Sequence, residues 1–107
     1  MNRWSDDPSR LRGPAARRLR GSLARLLFQA PATLAVGFRH GDNALQVWSV
    51  VERWSDEAVE PIYALELRIM RRFRRFRFDF YTVAAEGAPV ETAFDGPPGD
   101  MIVRPHA

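Results

Sequence analysis

Between Arg68 and Tyr81, in RIMRRFRRFRFDFY, the spacing of the apolar side chains changes from three-and-four to two. The first spacing marks one face of a helix, the second one face of a strand. Upstream, Val59, Ile62, Ile69, Met70, Phe73 and Phe76 fall on one helical face, with Arg68, Arg71 and Arg75 opposite. Downstream, Phe76, Phe78 and Phe80 alternate with Arg77, Asp79 and Tyr81. The chain must therefore leave a helix and enter a strand here, its rings turned inward and its guanidinium groups outward. The aromatics then belong mostly to the core and not to a nucleic-acid tract. The RNP1 pattern of RNA-recognition domains also requires glycines among its aromatics, and this segment has none.

The remaining elements follow from the same two periods. Gly13-Pro14 is a break and a restart, and Ala16, Leu19, Leu23, Leu26, Leu27 and Ala30 form a helical stripe over about 14–29, ended by Pro31. TLAVGFR and ALQVWSVVE flank the turn-forming HGDN, which reads as a hairpin. The second of these strands is apolar on both faces, the mark of a central strand. With a helix layer on one side only, its Trp48 face is left toward a partner. Ser55 is a good N-cap, and Asp56 and Glu57 suit the positive end of a helix dipole. Pro61 requires either a helix that starts near it or an irregular first turn. Met101-Ile102-Val103 is a short edge strand over 101–104. The expected order is α-β-β-α-β with a fourth strand: an α+β or α/β domain with a three- to four-stranded sheet and two helices packed on it. Residues 1–13 read as an arm, 14–84 as the domain, and 85–107 as a Gly/Pro-rich tail.

Composition narrows the chemistry. With 107 residues the chain supports one core. It has no cysteine, which excludes disulfides, thiolate metal sites and a cysteine nucleophile, and suits a cytoplasmic location. All 16 basic residues are arginine. Thirteen of them gather before residue 30 and in 68–77, which permits contact with nucleic acid, an acidic partner or a membrane surface. No apolar run reaches the ~18 residues of a membrane span. Arg25, Gln29 and Pro31 interrupt the one stretch that is loosely signal-like.

Glu66 is the most informative candidate, because it falls inside the apolar helical face. A carboxylate there is paired, protonated or at an opening. Its bland explanation is an ion pair with Arg39 or Arg77, or a hydrogen bond to Tyr or Trp. Asp79 is on the strand face opposite the phenylalanines. His40 and His106 are the only histidines, and they do not have metal-ligand spacing. No metal or cofactor is expected. Arg17, Arg18 and Arg25, with Arg68, Arg71, Arg72 and Arg75, are candidate anion or nucleic-acid contacts, weighed against a plain solvated helix back.

Two resemblances bear on function. Gly37, a following strand and Asp79 faintly resemble a minimal nucleotidyltransferase core. Phe38 replaces that family's serine, however, and Leu45, Gln46, Val47 and Trp48 stand where its aspartate pair should be, so the resemblance implies a catalytically dead relative. The Trp-containing strand, the IYALELRIM helix and the FDF strand resemble short uncharacterised bacterial proteins, through Tyr63, Glu66, Asp79 and Gly87 over roughly 45–104. That resemblance implies no established activity. The expectation is a small non-enzymatic protein acting through a protein partner or self-association at the Trp48 face. Nucleic-acid binding through the arginine face and an enzyme using Glu66 and Asp79 are the alternatives.

Overall fold

The computed structural model describes residues 13–94 and 100–104. Helix α1 (Gly13–Leu27) leads into strands β1 (Ala35–His40) and β2 (Leu45–Val51). Helix α2 (Asp56–Arg72), strand β3 (Phe78–Ala84), a 3-10 turn (Val90–Ala93) and strand β4 (Asp100–Val103) follow. The strand order is β3-β2-β1-β4, with β1 antiparallel to both β2 and β4, and β2 parallel to β3. The expected architecture of two helices on a four-stranded sheet is the one observed. Of the arm expected over 1–13, Gly13 opens α1; residues 1–12 and His106 lie outside the described residues.

Alternation along the strands divides the sheet into two faces. Val36 and Phe38 of β1, and Leu45, Val47 and Val51 of β2, meet Leu19, Leu23 and Leu27 of α1 and Ile62, Leu65 and Ile69 of α2. The opposite face carries Ala35, Trp48 and Val50. This face was expected to be open, but the chain covers part of it. Ala85 and Phe94 are buried there, with Val90 and Ala93 packed beside them.

The described residues beyond 84 thus pack on the sheet at Ala85, Val90, Ala93 and Phe94 and join it at 100–103. β4 adds the fourth strand, and Arg104 closes the far end of α1. Its Nη2 donates to the carbonyls of Phe28 (2.7 Å) and Ala30 (3.0 Å), and its Nε to that of Thr33 (2.8 Å). Arg20 Nε meets Asp100 Oδ2 at 2.9 Å and ties α1 to β4.

Ser55 caps α2 as expected, its side chain accepting from the Ala58 N–H at 3.1 Å. Pro61 lies inside the helix and does not start it. Proline removes one N–H, and here the affected turn faces water, so the helix continues through it. The helix ends at Arg72, where Phe73 leaves helical geometry at φ −110 and ψ 49, so Arg75 and Phe76, expected on its two faces, lie beyond it. Met70 was placed on the buried face but is 43% exposed, while Leu65 is buried. The buried stripe centres on Ile62 and Ile69, which leaves Met70 on the flank. Phe76, Phe78 and Phe80 are half-buried, because β3 is the last strand of the sheet.

Candidate functional site

The two candidate carboxylates do not meet. Glu66 projects from α2 into the helix-covered side of the sheet and is 9% exposed. Burial raises its pKa from 4.5 to about 7. Asp79 pairs in register with Gln46 on the opposite sheet face and is exposed. Glu66 and Asp79 therefore do not share one pocket. The neighbour of Asp79 is a carboxamide, so the row holds no second carboxylate for a two-metal site. Among the described residues, no group of three or more His, Asp or Glu side chains is placed to hold a metal ion.

Among the described residues Glu66 takes no ion pair of the kind that would have explained it. Its Oε2 is buried without a hydrogen-bond partner, as are Ser49 Oγ and Thr82 Oγ1. Ser49 and Thr82 are register partners on the sheet face that α2 covers. Arg39, one proposed partner, belongs to the other face. Its guanidinium carbon lies 5.3 Å from the centroid of the Trp48 ring, and its Nε and Nη2 make no hydrogen bond.

Trp48, expected to face a partner, is 7% exposed. Tyr81 stacks on it with centroids 4.4 Å apart, and Phe94 meets it edge-on at 5.7 Å. The space for Phe94 exists because residue 37 is glycine. A Cβ at Gly37 would collide with the phenyl ring. The glycine carried by the nucleotidyltransferase resemblance is therefore a packing requirement here. Gly87 has one as well: its φ of +85 forms the turn after β3, and its N–H donates to Glu52 Oε1 at 2.6 Å.

The arginines form two areas and not one surface. Arg17, Arg18 and Arg25 are exposed on α1. Arg18 and Arg25 line a recess of about 540 Å³ with Phe28 and with Ile102 of β4. Arg68, Arg71, Arg72 and Arg75 are exposed around the end of α2, which packs over β2 and β3.

What sequence reasoning missed is the free side of β3. In a parallel pair, alternate residues of a strand turn their backbone groups to the neighbour. Leu45 N donates to Arg77 O and Ala85 N to Val51 O, so the odd residues of β3 serve β2. The N–H and C=O groups of Phe78, Phe80, Thr82 and Ala84 point away from the sheet. Among the described residues, no strand pairs with them. Exposed Tyr63, Leu67 and Met70 lie along one flank of α2, and Met70 shares a recess of about 690 Å³ with Phe78 and Asp79 of β3. The missing signal was strand order, since local periodicity does not say which strand is last. No family model, curated protein or solved structure matches the chain, so any functional assignment rests on this geometry alone.

Proposed function

We propose that this protein acts by contact and not by chemistry, joining another polypeptide through the outer edge of β3. One observation carries the reading: a seven-residue edge strand offers backbone groups that no described strand pairs, with the exposed Met70 of α2 sharing a recess with its Phe78 and Asp79. Edge strands are usually shortened, bulged or covered, because an open one templates pairing with another chain. The opposite edge, β4, follows that rule with four described residues, and β3 does not. The accessible aromatic here is Tyr81, which stacks on Trp48 and is 38% exposed on the edge strand. A core that contains no cysteine suits action in the cytoplasm.

The test is a photoreactive amino acid at Tyr81 in cells expressing the chain, with a second one at Arg25 as control. A discrete adduct from position 81 that is absent from position 25 is expected. Thr82→Pro should abolish it, because this change removes an outward N–H and leaves the β2 ladder intact. Equal, diffuse labelling from both positions would overturn the reading.

Nucleic-acid binding is the second reading, and one observation favours it. Arg68 and Arg71 are exposed on one side of α2, and neither is in an ion pair among the described residues. Affinity for duplex DNA or RNA should then fall steeply with salt, and Arg68→Gln with Arg71→Gln should flatten that slope. Salt-insensitive binding, or none, removes this reading.

A further inference from the structure

The contact reading leaves the partner open, and the charge pattern of α2 specifies one. On the helical flank of Met70, which shares a recess with Phe78 and Asp79 of β3, the helix presents Asp56, Glu60, Tyr63, Leu67 and Met70, spaced four, three, four and three apart. Arg74 extends this stripe and lines the same recess as Met70. The stripe is acidic at its start, apolar in its middle and basic at its end. Reversed about residue 65, it is complementary to itself: Asp56 falls opposite Arg74, Glu60 opposite Met70 with Arg71 adjoining, and Tyr63 opposite Leu67.

The strand has the same property. Reversed about Tyr81, its outward backbone groups match completely, Phe78 with Ala84 and Phe80 with Thr82. Two copies of β3 can therefore run antiparallel and exchange narrow pairs of hydrogen bonds with no outward group left over. The helix and strand arrangements are mutually consistent. With the right-handed crossover that β-α-β units take, the Tyr63–Met70 flank faces out past β3. A two-fold axis through the β3 edge then sets the two α2 helices antiparallel on one side of an eight-stranded sheet. Strands lie ~4.8 Å apart, so helices each seated over β2 and β3 would be separated by about 10 Å, the distance of packed helices.

We infer that the occupant of the β3 edge is a second copy of this chain, joined antiparallel strand to strand and α2 to α2, with Asp56 of each copy opposite Arg74 of the other. This inference rests on the contact reading above and narrows it to one partner.

The test uses the whole chain in two charge variants. Asp56→Arg with Glu60→Arg makes the stripe basic at both ends, and Arg71→Glu with Arg74→Glu makes it acidic at both ends. In analytical ultracentrifugation the native chain is expected to approach twice the monomer mass as concentration rises. Each variant alone should associate about tenfold or more weakly, and their equimolar mixture should recover the dimer. Circular dichroism on each variant separates lost association from lost folding. Recovery in the mixture also excludes misfolding as the cause.

Two outcomes overturn the inference. One is a native chain that stays monomeric at all concentrations. The other is a dimer whose mass neither variant changes. Neither outcome touches the contact reading if the Tyr81 adduct forms with a different protein and is lost on Thr82→Pro. Loss of that adduct together with a monomeric chain sinks both.

Discussion

The indole of Trp48 and the phenol of Tyr81 stack across the parallel β2–β3 pair, centroids 4.4 Å apart and planes 20° from coincidence. Trp48 is held beneath while Tyr81 stays 38% exposed, so one ring shields the other. Tyr81→Ala should destabilise the monomer by about 1–2 kcal/mol through lost stacking and area. Trp48→Ser should destabilise it by about 3–5 kcal/mol, as truncation of a buried aromatic does. Urea unfolding followed by circular dichroism gives both values. Equal and small effects would show that Trp48 is not part of the core.

Gly37 and Phe94 form a second such pair. Gly37→Ala should destabilise the fold by about 1–3 kcal/mol, because the new methyl group occupies the place of the Phe94 ring. Adding Phe94→Leu should lower the cost of the alanine, a non-additive effect visible in a double-mutant cycle. Strict additivity would mean the two positions do not touch.

Glu66 makes stability depend on pH. Its folded-state pKa of about 7 lies above the ordinary 4.5, so the native state holds its proton more tightly than the unfolded chain does. Stability from this group is complete below about pH 4.5, falls as pH rises through that window, and reaches its minimum above about 7. Glu66→Gln should accordingly be close to neutral at pH 5 and stabilising by about 1–3 kcal/mol at pH 8. Thermal melts of both proteins at the two pH values check the sign. A destabilised variant at pH 8 would show that the ionised carboxylate is a structural asset.

Arg104 joins three carbonyls between Phe28 and Thr33 and lies 5.0 Å from the centroid of the Phe28 ring. Arg104→Ala should destabilise by about 2–3 kcal/mol, since charge-assisted bonds to partly buried carbonyls are lost together. Arg104→Lys should recover little of this, because an ammonium group does not have the planar fork that reaches all three. Full recovery by lysine would reduce the role of Arg104 to charge alone.

Both helices, both hairpin strands and the break in Arg68–Tyr81 were legible in the residues, and so was the Ser55 cap. Each depends on contacts a few positions apart, and periodicity records those directly. The burial of Glu66 was legible for the same reason, since a helical wheel places it between Ile62, Met70 and Phe73, although Met70 itself is exposed. Its lack of an ion pair was not, because whether Arg39 reaches it depends on which sheet face each occupies.

The amino-acid order alone therefore determined where helix gives way to strand, the main inward stripe of each element apart from flank positions such as Met70, and that no thiol chemistry is available. Only the tertiary structure decided that β3 ends the sheet, that Phe94 returns to cover Trp48, and that Glu66 and Asp79 are separated by the sheet. The physical reason is range. Periodicity and caps act between neighbours, whereas the order of strands follows from burial summed over residues far apart in the chain, and no single segment carries that sum.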